Sequence, residues 1–361
     1  MRKPALDTIK NMTWKMVGKF KSAFRKAIDK AKGTSWKAVG KKLFSGYSYW
    51  VSFALVVVIA RTVNPNFFVW RNISNIFTQS ATTTGMIALG MTMVICAGQI
   101  DISVGAQVAI ISGFGIEVLN STQSIWLMLL FCLAFGSMIG SINGLLVAKG
   151  RMPAMIATLA IQTSCRAIVN HFGQGGPYTV AGGIASQPFY EPFRQVAAGA
   201  VTVFGNRVPY PMIMFIVMGL LIGLIMQRTR LGKHIYAVGS NQVSARLSGV
   251  NVDRTKIAVF AITGLLCGFT SWVYSSRLMA VAAANAGNQF EMEAIAAVAI
   301  GGTAMAGGRG KIIGTFLGVL MFKIIYNTLV AAKVPTFLNG AISGAIIIIA
   351  VLLQNVRGRK K

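Results

Sequence analysis

The chain has 361 residues, of which 54% are hydrophobic and only 12% charged, and its formal net charge at pH 7 is +27. A soluble protein of this length needs a far larger charged surface, so the composition excludes an ordinary soluble domain. Apolar runs recur from Tyr47 to Gln354, and their length matches the roughly 20 helical residues that cross a bilayer. They do not alternate in polarity as the strands of a membrane β-barrel do. The sequence therefore predicts an all-α polytopic membrane protein.

The positive charge does not indicate a nucleic-acid-binding protein, because Lys and Arg are concentrated in the terminal segments and the short loops. Such a distribution is how charge fixes the orientation of a membrane protein. The four cysteines lie far apart within apolar runs. Their spacing predicts neither a disulfide framework nor a metal site.

Residues 1–46 carry thirteen Lys and Arg against two Asp, and their apolar residues recur at helical spacing. This pattern predicts a basic amphipathic helix that lies on the anionic cytoplasmic leaflet. The alternative is a partly disordered basic extension that serves only to fix the topology.

Ten apolar segments are predicted to cross the membrane: residues 47–63, 80–98, 102–119, 126–148, 153–170, 210–227, 256–276, 291–306, 311–331 and 337–354. If both termini are cytoplasmic, 27 of the 35 Lys and Arg lie on the cytoplasmic side, as the positive-inside rule requires. The predicted membrane domain is therefore 47–354, followed by a basic cytoplasmic tail, 355–361.

This orientation places residues 67–79 and 170–209 outside. The second of these loops is rich in Gly, Pro and aromatic residues, which indicates either a folded cap for an extracellular partner or a plain connection. The polar loop 227–256 lies in the cytoplasm with six Lys and Arg and one Asp. The sequence contains no G-x-x-x-x-G-K-[ST] phosphate loop, so ATP hydrolysis, if transport uses it, belongs to another chain.

A short amphipathic helix is predicted inside the polar loop. Ser240 or Asn241 can cap its start, and Gly249 suits its end. Val243 and Leu247 lie four residues apart and therefore share one face. A bare connection does not need an apolar face, whereas docking into the groove of a partner does.

Acidic residues are few, and a charge within a bilayer normally faces a cavity or a partner. Asp101 could instead cap the helix that follows it, and Glu291 and Glu293 could serve a helix N-terminus. Both interpretations stay open. The polar residues of the apolar spans are the candidates for a translocation pathway: Gln99, Asp101, Asn143, Thr158, Gln162, Glu291, Glu293 and Asn327.

Three stretches, GQIDISVG, AVGSNQVSARLSGVNV and EMEAIAAVAIGGTAMAGGRGKIIGT, resemble the permease subunits of bacterial ABC importers for monosaccharides of the ribose, xylose and methyl-galactoside type. The resemblance covers about residues 72–353. The chain departs from the family pattern at Gln99, where a second Gly is usual, and at Glu293, where Asp is usual.

The resemblance implies a ten-helix permease in the bacterial cytoplasmic membrane that pairs with a second permease subunit. It also implies a cytoplasmic ATPase that holds ATP and Mg, and an extracytoplasmic sugar-binding protein. No cofactor is expected on this chain, which is expected to be a transport subunit and not an enzyme. The ATPase-coupling helix would consist of Ser240, Asn241, Val243, Ala245, Arg246, Leu247, Gly249 and Val250.

These observations predict a permease subunit that moves a monosaccharide, either a pentose or a hexose or galactoside. One alternative keeps the same machinery for another small solute, such as a nucleoside, a furanosyl signal or a branched-chain amino acid. A second alternative is a stand-alone secondary transporter, which would leave the apolar face of the loop helix unexplained.

Overall fold

The structure is a computed structural model that describes residues 48–184 and 186–335, together with residues 341, 344, 345 and 348. The predicted amphipathic segment 1–46, the tail 355–361 and most of the predicted span 337–354 lie outside the described residues. The chain divides into two compact units, Met1–Val51 and Ser52–Lys361, and the second contains every element from the second helix onward.

The described elements follow one another in this order: α1 (Ser48–Val63), α2 (Trp70–Thr82), α3 (Gly85–Cys96), α4 (Val104–Thr122), α5 (Ile125–Ala148), α6 (Ala154–Phe172), β1 (Pro177–Thr179), a 3₁₀ turn (Val180–Gly183), α7 (Tyr190–Ala198), β2 (Ala200–Val203), β3 (Asn206–Pro209), α8 (Tyr210–Arg228), α9 (Arg230–Ser240), α10 (Gln242–Leu247), α11 (Val252–Leu278), β4 (Ala280–Ala282), α12 (Phe290–Ile300) and α13 (Ile312–Ala331). The chain is therefore mainly helical, as its composition predicts.

Five of the described helices are long and apolar enough to cross a membrane, namely α4, α5, α8, α11 and α13. The apolar helices α1 and α3 are shorter, with 16 and 12 residues. At 1.5 Å per residue, a helix of 12 residues covers only about 18 Å of a hydrocarbon core of about 30 Å.

Three predicted segments differ from the observed helices. The segment 80–98 is divided between the end of α2 and the 12-residue helix α3. The segment 291–306 contains α12, which has only 11 residues and gives way to a glycine-rich loop. Residues 67–79 were expected to be an outer loop, but α2 occupies most of them. Helix α2 is amphipathic and has no long apolar run, so a search for apolar segments does not detect it.

Glycines allow the longest helix, α11, to pack closely along α5. A Cβ atom on Gly136 or Gly140 would meet the carbonyl groups of Gly264 or Phe260, and one on Gly268 would meet that of Cys132. Small residues let membrane helices approach until their backbones touch, and dispersion contacts then hold them together.

The segment 170–209 is folded. Strand β1 pairs antiparallel with β4, and β2 pairs with β3 in a hairpin. Helix α7 lies between β1 and β2 in the sequence. Its residue Phe193 is fully buried, and the Phe193 carbonyl oxygen accepts a hydrogen bond from the Ser276 hydroxyl at 2.6 Å. The segment thus contains paired strands and a helix with a buried aromatic side chain.

Candidate functional site

The predicted loop helix is α10, and its ends have the capping structure that the sequence predicts. The side-chain Oδ1 of Asn241 accepts a hydrogen bond from Ser244 N–H at 2.9 Å, so Asn241 and not Ser240 is the cap. Gly249 follows the helix with φ +82°. There, Val250 N–H donates to the Ala245 carbonyl and Gly249 N–H to the Arg246 carbonyl, each at 3.0 Å, which is a Schellman motif.

The two faces of α10 differ sharply in burial. Val243 and Leu247 are 70% and 84% exposed, whereas Ala245 is only 4% exposed. Ala245 packs with Val238 and Val252 in a small apolar cluster of its own. One face of α10 therefore packs against the rest of the protein, and the other face exposes two apolar side chains.

Glycines surround the point where α9 ends and α10 begins. Gly308 N–H donates a hydrogen bond to the Cys96 carbonyl at 2.9 Å, which joins the α12–α13 loop to the end of α3. A Cβ atom on Gly307 would lie 2.8 Å from the Gly239 carbonyl oxygen and 3.0 Å from Gly98 Cα. We call this meeting of three backbones the glycine junction, formed by Gly98, Gly239, Gly307 and Gly308.

Tyr236 of α9 gives a second link to the same loop. Its hydroxyl donates a hydrogen bond to the Gly310 carbonyl at 2.8 Å. Burial raises the pKa of Tyr236 to about 12, so the hydroxyl keeps its proton and remains a donor at physiological pH. The segment directly before the exposed helix α10 is thus in contact with the α3–α4 loop and the α12–α13 loop.

Replacing Gly239 with Ala is expected to lower the free energy of unfolding by about 1–3 kcal/mol. The new Cβ atom would lie 2.7 Å from Gly308 N and closer still to the Cys96 carbonyl oxygen, and neither backbone group can turn away. Chemical unfolding of the purified chain in detergent measures the change.

Gly223→Ala in α8 is the matched control, because its Cβ atom would meet only Ile312 side-chain atoms, at 3.9 Å or beyond. Equal stability of the Gly239→Ala and Gly223→Ala variants would show that the junction tolerates a side chain, contrary to the geometry.

A buried polar cluster lies in the α3–α4 loop, around Ser103. Oδ1 of Asp101 accepts hydrogen bonds from Ser103 N–H at 2.9 Å and from the Ser103 hydroxyl at 2.6 Å. The Ser103 oxygen in turn accepts from the side-chain amides of Asn143 at 2.8 Å and Gln107 at 2.9 Å. Asp101 therefore bonds to the residue before α4 and does not cap the helix, which begins at Val104 after Ser103 and has no side-chain capping bond.

Thr158 joins the cluster from α6, where its oxygen accepts a hydrogen bond from Ile102 N–H at 3.1 Å. Three acceptors of the cluster have no hydrogen-bond partner among the described residues: Asp101 Oδ2, Gln107 Oε1 and Asn143 Oδ1. Buried acceptors normally bind a donor, so this cluster has capacity for hydroxyl groups or water.

A second polar group joins α12 to α13. Glu293 accepts a hydrogen bond from the Lys323 ammonium at 2.8 Å and one from the Thr84 hydroxyl at 3.3 Å. The two charged side chains are only 8% and 11% exposed. The sequence shows Lys323 as a lone charge in an apolar span and Glu293 next to Glu291, but it does not show that Lys323 and Glu293 pair.

Glu291 lies apart from this ion pair. Its Oε2 has no hydrogen-bond partner in the described part of the chain, and a Cβ atom on Gly105 would lie 2.5 Å from it. Arg166 of α6 interacts with it electrostatically. Gln162, one turn before Arg166, also has a buried Oε1 without a partner in this set.

The remaining two pathway candidates lie elsewhere. The Gln99 amide donates to the Gly98 carbonyl at 2.8 Å, and the side chain lines a cleft beside Arg246. The Asn327 amide donates to Asn72 Oδ1 of α2 at 2.8 Å. The structure therefore brings Asp101, Asn143 and Thr158 together but does not gather all eight candidates. Ser103 and Gln107, which the candidate set omitted, complete the cluster.

Comparison with known proteins assigns the chain to a family. The family described as "Branched-chain amino acid transport system / permease component" matches residues 72–351. The ribose import permease protein of Haemophilus influenzae is 33% identical over 311 residues, which cover 86% of this chain and 93% of the relative.

The ribose import permease protein of Bacillus subtilis is 36% identical over 300 residues, covering 83% of this chain and 89% of the relative. A xylose transport system permease protein of Escherichia coli is 31% identical and covers 85% and 90% of the two chains. No solved structure matches the chain.

Five described helices of membrane-spanning length and a buried ion pair between α12 and α13 define the class as a polytopic membrane protein. The chain belongs to the permease family of the branched-chain amino acid transport system type. It is a multi-pass protein of the bacterial inner (cytoplasmic) membrane, and it is a transport component of an ABC importer and not an enzyme.

Proposed function

We propose that the chain is the transmembrane subunit of an ATP-driven importer for a monosaccharide, either a pentose or a hexose or galactoside. The observation that carries this proposal is the exposure of Val243 and Leu247 on a helix whose start is capped and whose other face is packed against the protein. A small apolar helix face of this kind fits a groove in a cytoplasmic ATPase subunit. ATP and Mg are bound by that subunit.

In the proposed orientation ten segments cross the membrane and both termini are cytoplasmic. The uneven distribution of Lys and Arg supports it. The orientation puts α10 in the cytoplasm and the folded segment 170–209 outside, where an extracytoplasmic sugar-binding protein would deliver the solute. A second permease subunit, identical or related, completes the pathway across the lipid bilayer.

Coupling in this proposal passes from α10 into the glycine junction. Movement of α10 would reach two loops, because the end of α9, directly before α10, contacts the backbones of both at the glycine junction. One is the α3–α4 loop, which carries the Asp101 cluster, and the other is the α12–α13 loop. The ATPase must bind α10 differently in the outward-open and inward-open states, since a partner without such a preference cannot drive the change.

A neutral sugar is the solute that the interior supports best. The Asp101 cluster has three buried acceptors without partners among the described residues, and sugar hydroxyls are donors that suit them. The relatives are a ribose and a xylose permease by name. Gln99, Gln162, Glu291, Glu293 and Asn327 remain pathway candidates of the same proposal.

Uptake into proteoliposomes that contain the chain, its ATPase and its binding protein tests the proposal. We expect uptake of labelled ribose or xylose that requires ATP and is reduced by unlabelled monosaccharide. Leucine and adenosine serve as competitors. Competition by either would favour the same machinery for another solute. Uptake driven by an ion gradient, without the ATPase, would identify a secondary transporter and contradict the proposal.

A further inference from the structure

A cleft that is separate from the buried Asp101 cluster lies beside α10. Its volume is about 650 Å³. It opens between the end of α5, the α5–α6 loop, α10 and the start of α11, and its lining includes Arg151, Arg246 and Lys256. Three cations thus converge from three separate elements of the chain.

The positive charge of the cleft is only partly neutralised. The one carboxylate in its described lining is that of Asp253, which already pairs with Arg246 at 3.5 Å. Two positive charges therefore remain in excess. Amide groups of Gln99 and Gln242 add further hydrogen-bond donors to the lining. The start of the 27-residue helix α11 also borders the cleft, and there Asn251 Oδ1 already accepts a hydrogen bond from Arg254 N–H.

The backbone holds Arg151 in a defined position at the edge of this cleft. Arg151 has φ +53°, in the left-handed region that glycine normally occupies, as do seven other non-glycine residues of the described chain. The turn is fixed on both sides, because Gly150 N–H donates to the Leu145 carbonyl at 3.0 Å and Met152 N–H to the Leu146 carbonyl at 3.2 Å.

We propose that this cleft binds the phosphate group of an anionic ligand at the cytoplasmic face of the membrane. Arg151 would form paired hydrogen bonds with the phosphate oxygens, and Lys256 would contribute a point charge. The apolar residues Val147 and Met152 line another part of the cleft and suit the glycerol region of a lipid. The phosphate comes from an anionic phospholipid headgroup or from a free phosphate compound.

An occupied cleft would act on the docking helix. Arg246 belongs to α10 and lines the cleft, so a bound phosphate would compete with Asp253 for its guanidinium. The ligand would thereby stabilise one position of α10. This inference rests on the proposed function only for the cytoplasmic orientation and for the role of α10. Phosphate binding itself requires neither the ATPase nor the solute.

The test measures thermal unfolding of the purified full-length chain in a neutral detergent. Dioleoylphosphatidylglycerol, dioleoylphosphatidylcholine and inorganic phosphate are titrated separately at constant ionic strength. Ligand that binds the folded state raises the midpoint by an amount that grows with the logarithm of one plus the ratio of free ligand concentration to Kd, so the titration gives an apparent Kd. We expect phosphatidylglycerol or phosphate, but not phosphatidylcholine, to raise the midpoint.

The variant Arg151→Gln/Lys256→Gln is expected to weaken the apparent Kd about tenfold or more, because charge-assisted hydrogen bonds to the phosphate are lost. The variant Arg228→Gln/Arg230→Gln is the matched control: it removes the same charge from exposed positions outside the lining of the cleft. We expect the control to bind as the natural chain does. Midpoints without ligand show whether each variant is folded.

The outcomes separate the two ligand sources. A rise with phosphatidylglycerol alone identifies a lipid site, and a rise with inorganic phosphate in the absence of lipid identifies a soluble ligand. No rise with either, or equal weakening in both double variants, would overturn the proposal. Failure of ATP-dependent uptake would leave this result unaffected, so the two proposals fail independently.

Discussion

Replacing Val243 and Leu247 together with Asp is expected to abolish co-purification of the ATPase and, with it, uptake. The two side chains are 70% and 84% exposed in the chain itself, so they contribute little to its own packing. In a partner groove they would be the apolar anchors, and the loss of such an anchor costs about 2 kcal/mol or more. That corresponds to a Kd about 30-fold weaker for each residue.

The stability of the isolated chain distinguishes docking from misfolding. Its free energy of unfolding is expected to change by less than about 0.5 kcal/mol, as is usual for exposed positions. Gln242→Asp is the control, since it puts one negative charge at the first residue of α10, where the helix dipole favours it, and leaves both apolar side chains in place. Normal ATPase binding and uptake in the double variant would remove α10 as the docking element.

Replacing Lys323 with Met is expected to lower the free energy of unfolding by about 3–5 kcal/mol. The Glu293 carboxylate would then stay buried with only the Thr84 hydroxyl as a partner. A buried charge that loses its counter-ion keeps the full cost of its desolvation. Unfolding of the purified chain in detergent measures the difference.

Two further variants make this prediction specific. Glu293→Gln/Lys323→Met removes both charges and is expected to recover most of the lost stability, because no unpaired charge remains. Arg194→Met breaks the exposed pair with Glu191 on α7, where we expect little change. If Lys323→Met proves as mild as Arg194→Met, the buried pair is not a source of stability.

The sequence was most informative where the signals are local. The cap at Asn241, the left-handed Gly249 and the shared face of Val243 and Leu247 all depend on residues within one or two turns of each other. Local hydrogen bonds and side-chain spacing determine such features. The coupling helix could therefore be described residue by residue before the structure was known, although its docking remains a prediction.

Features that depend on distant partners could not be predicted in the same way. The pair Lys323–Glu293 joins residues 30 apart, and Asn143 reaches Ser103 across 40 residues. Helix α3 is buried on every side, so its pattern of apolar residues has no period that points to an inner face. Polarity alone named Gln99 as a pathway candidate, and it could not show that the side chain lines the cleft beside α10.

The ion pair between α12 and α13 also has a consequence for how the chain is made. Lys323 alone in a nascent spanning helix adds about 2.5–3.5 kcal/mol to the cost of insertion into the bilayer. Its counter-ion lies on a helix of 11 residues, which at 1.5 Å per residue reaches only about half-way across the hydrocarbon core. Helix α13 is apolar enough to cross a membrane but carries this charge, and α12 is too short to cross on its own. Pairing with Glu293 neutralises Lys323, so we expect the translocon to release the two helices into the lipid as one hairpin.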